Sequence, residues 1–241
     1  MYTTFFKGHK LLLGVLSIIT FGTLWAQKTK LSSGHSASLH WRAYQLAKKN
    51  NDMQAARVAL YYALAEDPTN LAIKDTLAIS YFSSGIYEQS ILLGKELIEN
   101  KPNDIRLLSM LAFAYGALGA TRESLEYYEK VYKLTGSAYH LYQVAILQFT
   151  MRRFGECAQS IEKLLQSPQA EIEKVYVPKK GGKEQQEISI RAAAFYVEGQ
   201  LWKEQKEQEK AKNSFEQALK LEPNFELAAS MLQELKELEK K

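Results

Sequence analysis

An all-α array of stacked helical pairs is the fold class this sequence predicts, and three observations carry the prediction. A block of side chains recurs after 34 residues: Leu77-Ala78-x-x-Tyr81 returns as Leu111-Ala112-x-x-Tyr115, Gly85 returns as Gly119, and Pro68 returns as Pro102. The 241 residues include only five prolines and thirteen glycines, which leaves room for long helices, and 46% hydrophobic with 24% charged residues is the balance of a folded chain. Apolar residues elsewhere keep helical spacing, as in Leu227, Met231, Leu235 and Leu238.

Each recurring residue type has a physical task. A large residue beside a small one lets a neighbouring helix approach closely, and the aromatic one turn later fills the remaining gap. The turn needs a residue that takes positive φ at little cost, which is glycine. Proline ends the second helix, because it biases the residue before it away from the α region. One pair cannot bury its own apolar stripe, so pairs must stack.

Residues 1–26 lie outside this pattern. Lys7 and Lys10 precede the apolar run Leu11–Trp25, which ends at Ala26-Gln27, the order of a secretory signal. Cleavage after Ala26 is the expectation. Leu24 is larger than the ideal residue three before the cut, and retention as a short membrane anchor, lengthened by Phe5 and Phe6, is the alternative. Residues 27–36 form a polar linker, and Ser36 or Ser38 is placed to cap the first helix.

Helical pairs are then expected over residues 37–70, 71–104, 105–137, 138–168 and 189–223, followed by a capping helix over 224–240. The first departs from the pattern with Ala43-Tyr44 at the large-small position and Asn50-Asn51-Asp52 in the turn. The third ends at Gly136 instead of proline. The fourth carries Val144-Ala145, but has Gln148 where the aromatic belongs and Arg152 where the turn glycine belongs. Residues 169–188 break the period: Lys174–Val177 and Glu187–Ile190 are β-prone runs around Pro178–Lys183, which predicts an inserted hairpin or ordered loop. The fifth pair returns with Gly199-x-x-Trp202, Ala211-x-x-x-Phe215, Ala218 and Pro223.

The period and the order of small, aromatic and proline positions resemble the tetratricopeptide repeat, across residues 37–240. The resemblance implies a right-handed superhelical solenoid of about five helix-turn-helix units plus a C-terminal cap. It also implies a non-catalytic protein-interaction scaffold, with ligands held in a concave groove lined by the first helix of each unit. Carried onto this chain, the groove-facing positions include Trp41, Gln45, Asp75, Ile79, Phe82, Ser109, Phe113, Tyr142, Ile146, Phe149 and Tyr196. Trp41, Phe82, Phe113, Tyr142, Phe149 and Tyr196 are its aromatic anchors. Such a lining suits an amphipathic helix or an extended apolar peptide. It does not suit the carboxylate clamp of some family members, which presents Lys, Asn and Arg at these positions.

No catalytic, cofactor-binding or metal-ligating residues are predicted. His35 and His40 straddle a helix start, His140 stands alone, and a structural or catalytic metal normally has three or four ligands. Gly181-Gly182-Lys183 lacks the spacing of a phosphate loop. Cys157, the sole cysteine, excludes an internal disulfide and sits at a small core position. Net charge is +4, and Lys7 and Lys10 account for two of these charges, so no concentrated basic stripe points to nucleic acid. The functional expectation is an exported scaffold in a bacterial periplasm that binds a protein or peptide. Its alternatives are an inner-membrane-anchored adaptor, in contact with the membrane only if residues 1–26 are retained, and an enzyme's regulatory subunit acting through residues 169–188. Lys179, Lys180 and Lys183 at the tip of that insertion are candidate accessory contacts.

Overall fold

The computed structural model describes residues 39–238. The expected signal, the linker and the Ser36 or Ser38 cap lie outside the described residues. The chain forms consecutive helical pairs: α1 (Leu39–Lys49) with α2 (Met53–Glu66), α3 (Leu71–Ser83) with α4 (Tyr87–Asn100), then α5 (Ile105–Ala117) and α6 (Thr121–Thr135). They continue as α7 (Ala138–Thr150) with α8 (Phe154–Gln166), and α10 (Ile190–Glu204) with α11 (Gln208–Leu221), before the terminal α12 (Glu226–Leu238). Between α8 and α10 lie a single helical turn, α9 (Gln169–Ile172), and the strands β1 (Lys174–Pro178) and β2 (Gln185–Ser189).

The helix-helix turns share one hydrogen-bond pattern. Asp52, Ile86, Ala120, Arg153 and Glu207 each donate a backbone N–H to the carbonyl five residues back, at 2.9 Å in every case. The residue before each donor has positive φ: Asn51 58°, Gly85 72°, Gly119 78°, Arg152 59° and Lys206 64°. This is the Schellman stop, in which a left-handed residue closes the free carbonyls of the helix end. Glycine does this at no steric cost, whereas Arg152 and Lys206 carry a strain of about 1–2 kcal/mol. Arg152 has local contacts that set against it, with its guanidinium 5.3 Å from the Phe154 ring and 3.3 Å from Glu204. Helix starts are capped by Asp52, Asn70, Asp104 and Ser189, whose side chains accept from the first-turn N–H groups of Ala55, Ile73, Leu107 and Ala192.

Two compact units divide the chain between Ala120 and Thr121. In the first, α1 packs on α2, α2 on α3, α3 on α4 and α4 on α5. Its buried residues form one cluster around Trp41, Leu60 and Leu77 and another around Ala78, Leu97, Leu107 and Met110. In the second, α6 packs on α7, α7 on α8, α8 and α7 on α10, α10 on α11 and α11 on α12. One cluster runs through it from Ala138 to Leu235. Gln148, the departure from the aromatic position, is buried and accepts the Ser160 hydroxyl at 2.8 Å, so a hydrogen bond replaces ring packing there. Gly199 is required by contact: a Cβ there would lie 2.5, 2.7 and 2.8 Å from three atoms of the Phe215 ring.

The insertion is an antiparallel hairpin with Lys174 opposite Ser189 and Pro178 opposite Gln185. Val175, Val177 and Ile188 point into the core, which is why the β-prone residues alternate. The second strand starts two residues before the expected run Glu187–Ile190 and ends one residue before its end. Ser189 caps α10 and Ile190 is its first residue, because Ile190 N–H pairs with the Glu173 carbonyl at 3.0 Å and the chain turns helical directly afterwards. Distant carboxylates fix the hairpin. Glu173 accepts from Tyr139 N–H at 2.9 Å, capping α7 where Ser137 does not, and Glu222 accepts from Ser189 N–H at 2.9 Å.

Candidate functional site

In the first unit the anchors separate by depth. Trp41 is 8% exposed and packs 4.9 Å from Tyr44, between α1 and α2, so it belongs to the core. Phe82 and Phe113 are half-buried, and they meet a ring the sequence reading did not single out, Tyr87. The three rings form an edge-to-face triangle, with centroids 5.5 Å apart for Phe82–Phe113, 5.8 Å for Phe82–Tyr87 and 5.9 Å for Tyr87–Phe113. The Gly85 turn makes it possible, bringing the last turn of α3 against the first turn of α4, while α5 packs on α4 and supplies Phe113. An aromatic five residues past Phe82, across a turn glycine, was the signal for Tyr87. Burial pushes its hydroxyl pKa up, so it remains a neutral donor.

Polar groups hold this region in place. The Asp75 carboxylate receives both of its hydrogen bonds from Nη2 of Arg106, at 2.7 and 2.8 Å, tying α3 to α5. Ser109 is buried, Ile79 is half-buried and Gln45 is exposed.

In the second unit Tyr142 and Tyr196 are 6% and 8% exposed and lie in the core cluster. Tyr196 stacks near Phe215 and Phe225, accepts a hydrogen bond from Gln200 at 2.8 Å, and has its pKa pushed up to about 12 by burial. Tyr142 is raised further for the same reason. Neither ring can meet a partner without helices parting. Phe149 is half-buried, 5.8 Å from Phe154, and Ile146 is half-buried beside it.

The hairpin tip places the three lysines differently. Lys179 is committed to Glu184 at 2.8 Å. Lys180 and Lys183 are exposed, and the Lys180 backbone N–H donates to Glu226 at 3.0 Å, which fixes where the tip projects.

Burial pushes the Cys157 thiol pKa up to about 12, the opposite of an activated nucleophile. His140 lies beside the Tyr128 and Tyr139 rings, with its pKa held down at about 4 by burial. His40 stacks on Tyr62 and faces Glu66. Among the described residues, no three His, Cys, Asp or Glu side chains are grouped to hold a metal, and no helix is long and apolar enough to cross a membrane.

Residues 105–137 and 192–225 match the tetratricopeptide repeat family. No curated protein sequence matches the chain. Among solved structures, YrrB, described as a TPR protein with an unusual peptide-binding site, superposes with a TM-score of 0.62 at 15% identity, covering 80% of this chain and 90% of that one. MamA superposes with a TM-score of 0.57 at 15% identity, covering 75% and 94%. PilF of Pseudomonas aeruginosa gives 0.51 at 17% identity, covering 80% and 79%. The shared property at these identities is the fold: an all-α array of helix-turn-helix pairs, two segments of which match the repeat family.

Proposed function

We propose that this chain of tetratricopeptide repeats is a non-catalytic protein-binding scaffold of the bacterial cell envelope, and that it anchors an amphipathic helix or an extended apolar peptide on Phe82, Tyr87 and Phe113. The observation that carries the proposal is the ring triangle. Three aromatic side chains from three helices are held edge to face, half-buried and half open, so mutual packing already restrains them before binding. Rigid aromatic anchors of this kind concentrate binding energy. In the second unit Phe149 is a half-open ring, and Lys180 and Lys183 are exposed accessory contacts for an acidic partner surface.

The general use of these repeats as protein-interaction surfaces supports the reading, as does a peptide-binding site in YrrB, which shares the fold. The envelope assignment rests on the export pattern of residues 1–26. Its test is mass spectrometry of the mature N-terminus: Gln27 supports export with cleavage, and an intact Met1 would replace that reading with the anchored adaptor. The binding site is tested by affinity capture from native envelopes with the wild-type chain, a Phe82→Ala, Phe113→Ala variant and a variant lacking Lys179–Lys183. The ring variant is expected to lose its partner and the tip variant to weaken it. Capture unchanged by the ring variant would reject the site.

A further inference from the structure

Trp202 stands at the aromatic position of the fifth pair, yet its ring is only half-buried. It forms one wall of a cleft of about 350 Å3 between α8 and α10, two helices that pack directly on each other. Ile161 and Leu165 of α8 and Leu201 of α10 give the cleft an apolar lining, and Ala158 is too small to close it. Two carboxylates stand on this lining, Glu162 from α8 and Glu198 from α10. Glu198 is half-buried and accepts the Ser214 hydroxyl at 2.7 Å, while Glu162 accepts from the Gln166 side chain at 3.4 Å. Among the described residues neither carboxylate has a cationic partner. On α10 and α11, Arg191 is held by Glu171, Lys203 by Glu234, and Lys210 by Glu207 and the Trp202 ring. Lys163, next to Glu162 in the chain, is exposed and outside the lining. The cleft is therefore apolar along its walls and carries two negative charges that the fold leaves unbalanced.

We infer that this cleft takes an arginine side chain of a partner protein. Charge complementarity selects a cation: an apolar occupant would cover the half-buried Glu198 and leave its charge without a partner, and an anion would meet two like charges. The apolar walls select a cation on a long aliphatic stem, which packs along Ile161, Leu165 and Leu201 while its head stays at the polar groups. Arginine meets both demands better than lysine. Its planar guanidinium offers five N–H donors in a fork, enough to serve carboxylates from two helices at once, and it stacks on aromatic faces such as that of Trp202. An ammonium is a more strongly hydrated point charge and gives up more water on entering. The volume sits at the low end of the range for ligand pockets, which suits one long side chain and its flanking backbone. This site reads charge, whereas the ring triangle of the first unit reads apolar surface, so it stands whether or not the triangle binds a peptide.

The test follows the Trp202 indole N–H signal of the full chain by NMR, assigned with Trp202→Phe, while acetyl-Leu-Arg-Leu-amide is added to about 30 mM. The same peptide with citrulline in place of arginine is the neutral isostere. The arginine peptide is expected to move the signal with a dissociation constant of about 1–10 mM, and the citrulline peptide to bind at least about 10-fold more weakly. Raising salt to about 0.5 M should narrow that difference. Glu198→Gln keeps an oxygen for the Ser214 hydroxyl, so the fold is retained, and Glu162→Gln alters an exposed side chain. Together they are expected to erase the preference for arginine, whereas Glu216→Gln, an exposed carboxylate of α11 outside the cleft, should leave it unchanged. A Trp202 signal that the arginine peptide does not move overturns the inference. So does an equal response to the two peptides, or a preference that survives in the double variant.

Discussion

Beyond Thr121 the apolar residues close on themselves: hairpin, α7, α8, α10, α11 and α12 contribute to a single cluster, and Phe215 and Phe225 are fully buried in it. Before Thr121 the same helix-turn-helix plan buries two smaller clusters and leaves Phe82, Tyr87 and Phe113 half open, with Leu39, Leu46, Val58 and Tyr62 exposed. The difference lies in what each unit adds to the repeat. The second unit has an inserted hairpin and a terminal helix whose apolar stripe points inward, which gathers its core into one cluster, while Leu134, Ile172, Tyr176 and Leu221 stay exposed. The first begins on a pair with apolar residues on both sides, so its rings and aliphatic side chains stay partly open where the second unit gathers its own into one cluster.

Substitutions can break or sharpen this contrast. The largest effect is expected for Phe215→Ala, which removes a fully buried ring from the closed cluster and should cost about 3–5 kcal/mol in urea denaturation. Next comes Gly199→Ala, where the new methyl meets the Phe215 ring inside 3 Å and the ring has no room to retreat, for about 2–3 kcal/mol.

His140 gives a smaller, pH-dependent effect in the same unit. Its folded pKa of about 4 lies below the unfolded value of about 6.5, so between these the unfolded chain binds a proton that the folded chain does not. Stability from this residue is therefore complete above about pH 6.5 and is lost as pH falls toward 4. His140→Gln should flatten that part of the stability profile.

The smallest effect is expected in the open unit. A methyl at Gly94 would meet the Leu111 Cδ2 and Met110 Cε ends at 2.9 and 3.1 Å, side-chain tips that can move, and Ala gains helix propensity. Gly94→Ala should therefore stay within about 1 kcal/mol of the wild type. A loss as large as that of Gly199→Ala would mean the first unit is packed as tightly as the second, and the contrast would fail.

The helical pairs were legible because their determinants are local. Leu77, Ala78, Leu111 and Ala112 are fully buried as the 34-residue register requires, and Gly85 and Gly119 take the positive φ that their turns need. Arg152 and Lys206 adopt the same backbone without the residue that signals it, so the turn at Arg152 looked like a departure although its geometry is unchanged. The end of β2 was not legible, because Glu173 and Glu222, distant in sequence, decide where strand becomes helix. Depth was the hardest property to read. Trp41, Tyr142 and Tyr196 are aromatic residues on the first helices of their pairs, as Phe82 and Phe113 are, and only the packing of neighbouring helices separates Tyr196, enclosed by Phe215 and Phe225, from Phe113.

The most direct test of the account is to place a photo-reactive phenylalanine analogue at Phe113 and irradiate living cells that express the full chain. A discrete cross-link to a second protein species, absent when the same analogue replaces the buried Tyr142, is the predicted result. Cross-links to that species from the Tyr142 position, or none from Phe113, would contradict it.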